Sequence, residues 1–535
     1  MVPEGVAGGR VDLPDLDIRV LEEQVMGDGA DLDTFGFGLA TCFDHHPLPS
    51  ATLARTGRRL GYPPIGRSRG YRAAMTASDR APALEGDRLS WGTLVNFAAP
   101  TAPAYLLYMM MTVVYMNFAT DVLLIAPGVI GTIFFISKVW DAVSDPLVGY
   151  WSDRTQSRFG RRKSWLFLSI VPLVAFSIML WSPPADLEGA ALMGWVVVSV
   201  FGFYTAFTIF IVPQMALGVE LSPSPHERSR GFAARQVTLT LGMLGAFLFA
   251  TPMILNNPEA RANAATLSTT VAIVLGVSLL VCTWALPPER VAVGGRGAES
   301  PVAGIRDVLR NPHARLLLLV YFIEVFGIGA TSAMTPYLLI YVTKASDYVG
   351  QVFLFFTGAT VLAIPFWVWL GRRYERHKLW RVAMGLQAIG YGMILFQDEG
   401  RVTLMIASSL VNGFATACGQ TLGYSIKGDV IDFDELQTGE RKEGVYLAAW
   451  NFASKLGTGL MVAFSGWALQ LSGFVPNVPQ SELTLWTIKG MTGGGPLVCL
   501  LIGMWVFSRF SLDGAEAARI RETIESRRAQ AGASA

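Results

Sequence analysis

Residues Gly131 to Trp165 read GTIFFISKVWDAVSDPLVGYWSDRTQSRFGRRKSW. The stretch begins as an apolar run long enough to enter a membrane and carries Lys138, Asp141 and Asp145 at spacings of three and four. It ends in a loop with Asp153, Arg154, Arg158, Arg161, Arg162 and Lys163. The spacings place the three charges on one helical face. A charge at bilayer depth costs at least about 2.5 kcal/mol on insertion scales, so this face is expected to line a polar path or an ion site rather than meet lipid.

Composition points the same way. Of 535 residues, 52% are hydrophobic and only 16% charged, with 55 Gly and 31 Phe, and the mean hydropathy is +0.42; a soluble protein carries roughly 25% charged residues. Forty-two basic residues against 41 acidic ones leave a formal charge of +1, which gives no reason to expect a nucleic-acid partner. Cys42, Cys282, Cys418 and Cys499 are too scattered for a metal site, and the last three are expected as small core residues.

Twelve apolar spans fit the chain: 92–118, 128–151, 165–182, 189–218, 231–255, 267–286, 316–341, 348–370, 380–397, 403–426, 444–470 and 490–509. Each approaches or exceeds the roughly 20 residues that cross hydrocarbon. The loop 152–164 has five Lys or Arg and one Asp, and 371–381 has Arg372, Arg373, Arg376, Lys378 and Arg381 against Glu375, whereas 183–188 holds only Asp186 and Glu188. The excess of basic charge on the inside predicts both termini in the cytoplasm of a multi-pass cell (inner) membrane protein. Residues 1–90, rich in Gly, Pro, Asp and Arg, are predicted to form a disordered cytoplasmic extension. Met75, followed by a short polar lead, offers an alternative start, and His45–His46 alone make a weak metal site. The connection 287–315 separates six spans (91–286) from six (316–510), and 511–535 reads as a cytoplasmic tail.

The second-to-third loop GYWSDRTQSRFGRRKSW and the eighth-to-ninth loop WVWLGRRYERHKLW are basic hairpins at equivalent places in the two halves. This organisation resembles the major facilitator superfamily: all-α, with twelve transmembrane helices in two six-helix bundles. The segment Lys138-Val-Trp-Asp141-Ala-Val-Ser-Asp145-Pro146, followed by Arg158, Gly160 and Arg161, is similar to the second-helix signature of the glycoside-pentoside-hexuronide:cation symporter family. Tyr204-Thr205, Glu227-Arg228 before Arg235, the acids Asp429, Asp432 and Glu435, and Lys455 extend the likeness over roughly residues 90–510. A sodium-dependent lysophosphatidylcholine branch is a more distant relative.

Asp141 and Asp145 lie one turn apart, so their carboxylates can approach a common point, where a cation or a proton relieves their repulsion. Thr205 offers a neutral oxygen, and sodium is a hard cation that prefers oxygens. The resemblance implies that these residues form the coupling-ion site. Ser144 stands where the family's sugar carriers have an asparagine, which leaves Na+, H+ and Li+ open. The alternative is that Lys138 and Lys455 simply neutralise the aspartates in a packed interior. The same resemblance puts Tyr105 and Thr208 at the places of the family's two sugar-gripping carboxylates, which implies a cavity turned toward a less polar or an anionic solute, with Arg235 retained. Asn451 shares the face of Lys455, and Glu324 is an intramembrane carboxylate without an evident local cation, a candidate for a substrate or proton path. Gln214, Asn412 and Gln420 are expected to hydrogen-bond between helices. Asp153, Arg154, Arg158, Arg161, Arg162, Arg372 and Arg373 are candidates for a cytoplasmic gate, although they also merely satisfy the orientation rule.

These readings lead to a cation-coupled symporter of a small organic solute or amphiphile, working as a monomer in the bilayer, with no cofactor beyond the coupling ion. The substrate stays open between a glycoside and a lysophospholipid. No Walker motif, metal-ligand cluster or nucleophile elbow with plausible partners is present. A membrane-embedded lipid-modifying enzyme and a channel are the alternatives from other classes.

Overall fold

Apolar helical runs bounded by Pro, Gly and capping residues build an all-helical protein. The computed structural model describes residues 88–222, 224–255, 257–287 and 308–534. The extension with Cys42, His45 and His46 lies outside the described residues except for its last three positions, as does most of the 287–315 connection. We number the helices α1 (Trp91–Val113, continued after a 51° bend by Tyr115–Val122), α2 (Pro127–Arg154), α3 (Arg161–Trp181), α4 (Gly189–Glu220), α5 (Pro225–Ile254), α6 (Ala260–Ala285), α7 (Pro312–Val342), α8 (Ser346–Gly371), α9 (Arg376–Ile394), α10 (Val402–Thr438), α11 (Glu443–Leu471), α12 (Glu482–Phe507) and α13 (Gly514–Ser534). Ser90, Asn311 and Ser481 accept bonds from the first-turn amides of α1, α7 and α12, and proline opens α2, α5 and α7, where its missing N–H costs nothing.

Among the described residues, eight helices are long and apolar enough to cross a membrane, nine with the bent α1. Helices α2, α9 and α11 are more polar, holding Lys138, Asp141 and Asp145, Arg376, Lys378 and Arg381, and Asn451 and Lys455 respectively. The protein is a multi-spanning membrane protein whose polar residues are concentrated on particular helices. Span ends differ from the sequence reading in two informative places. Helix α10 runs on to Thr438 rather than ending at 426, and α1 continues through a π-helical turn, Phe118–Val122. The chain repeats that device in α7, with a π-turn at Leu338–Val342, and each is followed by a residue of positive φ, Leu124 (56°) and Lys344 (53°). Cys282 and Cys418 are buried free thiols, as expected, and Cys499 is half-buried.

Contacts between the first six and the last six helices gather at the end away from the basic loops. Helices α2 and α11 pack closely because glycine removes the side chain at the crossing: a Cβ on Gly466 would stand 2.4 Å from the Pro127 carbonyl oxygen, and one on Gly131 3.1 Å from Ala463 Cα. Gln470 Oε1 accepts from Gly128 N at 3.0 Å. A polar latch joins α1 to α7 and to the turn after α11. Tyr341 donates to Asp121 Oδ2 at 2.6 Å, the Thr120 and Tyr337 hydroxyls lie 2.7 Å apart, and Asn477 Nδ2 donates to the Asp121 carbonyl at 2.8 Å. Phe247 of α5 stacks on Phe353 of α8 with centroids 4.5 Å apart.

At the basic end the ion pairs run within a half. Arg161 meets Glu220 at 2.6 Å, Arg162 pairs with Asp153, Arg376 meets Asp429 at 3.2 Å, and Arg441 meets Glu435 at 2.9 Å. Toward that end Leu147, Tyr150 and Trp151 of α2 and Leu447 and Phe452 of α11 are exposed. The two helices therefore touch from their far ends to mid-depth and part toward the basic loops.

Candidate functional site

Where α2 and α11 part, Lys455 reaches across from α11 to the aspartate pair. Its Nζ lies 2.9 Å from Asp141 Oδ2 and 2.6 Å from Asp145 Oδ2, and also donates to the Asp141 carbonyl at 3.1 Å. The fully buried Thr208 of α4 closes the other side, its hydroxyl 3.0 Å from Asp141 Oδ1 and 3.1 Å from Asp145 Oδ1, one proton shared by two acceptors. The one-turn spacing read from the sequence is what lets a single ammonium bridge both carboxylates. Asp141 is buried, whereas the Asp145 side chain is 33% exposed, so the pair is reachable from one side. Pro146 follows directly in the helix; lacking an N–H, it leaves the Ala142 carbonyl without its helical partner beside the pair.

The remaining predicted ion-site residues fall differently. Thr205 does not join the pair, because its hydroxyl accepts from Trp140 Nε1 at 2.8 Å and donates to the Phe201 carbonyl. Thr208, three residues on, faces the carboxylates in its place. Ser144 donates to the Asp141 carbonyl at 3.2 Å and not to a carboxylate. Lys138 turns from the pair toward α1 and α4, donating to the Tyr108 hydroxyl at 3.0 Å with its Nζ 4.3 Å from the Tyr204 ring centre. It still acts on Asp141 through charge. Two carboxylates and two ammoniums thus form a locally balanced cluster.

Tyr105 packs on Phe207 and Tyr108, and the buried Arg235 sits 5.9 Å from the Tyr105 ring centre while its Nε donates to Gln214 Oε1. Gln214 also donates to the Phe97 carbonyl and to Thr101, the interhelical role expected of it. Asn451 is exposed one turn from Lys455, on the side where α2 and α11 separate. Glu324 is buried, and the sequence reading of a carboxylate without a local cation is corrected: Lys427 of α10 is its charged neighbour. Lys427 stands one residue past the apolar run 403–426, on the part of α10 that continues to Thr438. Of the gate candidates, Arg161, Arg162 and Asp153 are engaged within the first half as described, Arg154 lies over Tyr150, Arg158 over Phe159 and Arg373 over Trp369.

Among the described residues no group of three or more His, Cys, Asp or Glu is placed to hold a metal ion. What the site offers is two carboxylates, a hydroxyl and a carbonyl, suited to a monovalent cation or a proton, with an ammonium already between the acids.

The comparisons agree with a carrier. The isoprimeverose transporter of Lactiplantibacillus pentosus is 24% identical over 78% of this chain and 88% of its own. The sodium-dependent lysophosphatidylcholine symporter 1-A of Danio rerio is 23% identical over 74% and 81%. The solved nucleoside transporter NupG superposes with a TM-score of 0.58 at 11% identity, over 78% of this chain and 99% of that one, a likeness of fold. Residues 96–514 match the MFS/sugar transport protein family. With its membrane-spanning helices and the polar cluster at mid-depth, the chain belongs to that family and is a membrane-embedded secondary transporter of a small solute rather than an enzyme.

Proposed function

We propose that this protein is a cation-coupled symporter of the glycoside-pentoside-hexuronide:cation type, working by alternating access. The observation that carries the reading is Lys455 bridging Asp141 and Asp145 across the α2–α11 interface. A coupling cation and the Lys455 ammonium compete for the same negative charge, so that ion binding frees α11 from α2 and lets the halves rearrange. Asp141, Asp145 and Thr208 hold the cation, with Thr205 and Ser144 as neighbours that enter only on rearrangement. Lys138, Arg235, Asn451 and Tyr105 flank the solute path. The twelve helices α1–α12 serve as two six-helix bundles, 91–286 and 316–510, joined by a cytoplasmic 287–315 loop, with 1–90 and 511–535 also cytoplasmic by the charge rule. In that orientation the described state is open to the cytoplasm, and Asp153, Arg154, Arg158, Arg161, Arg162, Arg372 and Arg373 would exchange their present contacts for a gate once the halves close there.

Proteoliposomes with an imposed Na+ or H+ gradient test the coupling. Inside-negative potential adds roughly 2.3 kcal/mol per 100 mV for each cotransported charge, so solute uptake above equilibrium is expected with one of these ions and should vanish with the gradient. Uptake indifferent to every ion gradient defeats the reading. Thr208→Val keeps the branched shape but removes the shared proton; loss of one hydrogen bond to a charged group predicts about a tenfold rise in the cation concentration for half-maximal uptake. An unchanged cation dependence would take Thr208 out of the ion site. A glycoside is the primary substrate class. A lysophospholipid is the second reading, favoured by the absence of acids at Tyr105 and Thr208 and by the Danio rerio relative.

A further inference from the structure

The last six helices hold a buried cation away from the aspartate pair. Lys427 is 9% exposed, and its ammonium is ringed by Tyr321 of α7, Tyr424 of α10 and Trp450 of α11, with centroids 4.2, 5.0 and 5.3 Å away. The rings attract it by their π faces. None of them supplies an oxygen along its N–H bonds, and among the described residues Lys427 makes no hydrogen bond and no ion pair. Glu324 acts on it through charge but forms no ion pair with it. Trp450 is 2% exposed, and its indole N–H is a second buried donor without a partner. Two adjacent buried donors without acceptors are costly. The missing chemistry is an oxyanion, whose several lone pairs can satisfy both.

The place of the cluster indicates whose oxyanion it is. Trp450 precedes Lys455 by five residues on α11, a rise of about 7.5 Å toward the basic end. Lys427 is two residues from Asp429, which pairs with Arg376 at that end. Along the helix axis the cage therefore lies on the basic-end side of Lys455, among α7, α10 and α11, and the exposed Tyr424 leaves one wall of it accessible.

We propose that Lys427 and Trp450 form an oxyanion subsite, and that the transported solute carries an acidic group, carboxylate or phosphate, which docks there. The inference rests on the transporter reading above and assigns its substrate a charge. The test is uptake of matched pairs by the full chain in proteoliposomes: p-nitrophenyl β-glucuronide against p-nitrophenyl β-glucoside, and lysophosphatidate against monoacylglycerol. In at least one pair the acid should exceed its neutral partner in kcat/KM by about tenfold or more, the range for a hydrogen bond to a charged group. Lys427→Met should collapse that ratio, Lys427→Arg should retain most of it, and Trp450→Phe, which keeps the ring and loses the N–H, should lower it about threefold. Because Trp450→Phe is a mild change, it decides the matter if Lys427→Met does not fold. Neutral solutes handled as well as acids by the unaltered chain overturn the subsite, as does an equal loss for both members of a pair. Vesicles with and without phosphatidylglycerol separate the remaining source: an effect of Lys427→Met seen only with the anionic lipid means a headgroup fills the cage, and the solute proposal falls. Ion-driven uptake of neutral solutes alone sinks this subsite and spares the symporter, whereas no ion-driven uptake of any solute sinks the symporter itself.

Discussion

The Asp141→Asn/Asp145→Asn double variant is expected to lose ion-driven accumulation by about a hundredfold or more, because it strands the Lys455 ammonium and removes the charge for which the cation competes. Breaking a buried ion pair by removing one side typically costs about 3–5 kcal/mol, which is roughly two to three and a half decades in an equilibrium constant. The side chains of Asp141 and Lys455 are 9% and 22% exposed, enough burial for much of that cost to be felt. The reciprocal change separates mechanism from simple instability. Lys455→Met leaves two carboxylates close together with no ammonium between them, so it should bind the coupling cation more tightly than the parent and gain more thermal stability from it, while transporting poorly because α11 no longer senses the ion. If the double variant still drives full uphill uptake, or if Lys455→Met loses cation binding along with the double variant, the competition between ammonium and ion is wrong.

Much of this site was legible from residues 131–165, because aspartates one turn apart in an apolar run admit few structural roles, and because Lys455 is an intramembrane lysine in a late span. Geometry across helices was not legible. Thr205 and Thr208 both lie on α4, and no pattern along the chain tells which hydroxyl meets the carboxylates of α2; the indole of Trp140 takes the first and leaves the second to them. The same holds for Lys427, the charged neighbour of Glu324 on another helix. Apolar runs mark the hydrocarbon core but not where a helix stops, so α10 continuing to Thr438 carried Lys427 into the bundle after the apolar signal had ended. At the other end of the molecule, Asp121 lay three residues past the first predicted span, yet the π-turn of Phe118–Val122 brings it under the Tyr341 hydroxyl. The basic hairpins hinted at an internal repeat. The paired π-turns and positive-φ residues of α1 and α7 give that hint a structural counterpart, since both helices carry the device where the halves meet.

That meeting point is the place to hold the transporter open on its other side. Gly466 is a close approach of α11 to α2, with backbone and not a flexible side chain facing the position a Cβ would take, so Gly466→Val cannot be absorbed by a rotamer change. Overpacking of this kind costs about 1–3 kcal/mol, and here the cost falls on the state in which the helices touch, shifting the population away from it by roughly 5- to 150-fold. The shift is read by thiol labelling in a background without Cys42, Cys282, Cys418 and Cys499. Asn451→Cys, exposed where α2 and α11 part, should label readily in the parent and at least about fivefold more slowly with Gly466→Val, while Tyr341→Cys in the far-end latch should move the opposite way. Single cysteines at Ser157 and Ala185, in loops of opposite charge character, fix which membrane face each signal belongs to and should react from opposite sides. Transport by Gly466→Val should fall by a similar factor, since the cycle must pass through the closed outer contact. Labelling at Asn451→Cys that does not change, in a Gly466→Val protein that folds and transports at the parental rate, would mean that the α2–α11 crossing is a fixed joint, and the gate would then have to be sought between α5 and α8, where Gly350 meets the Phe247 carbonyl at a comparable distance.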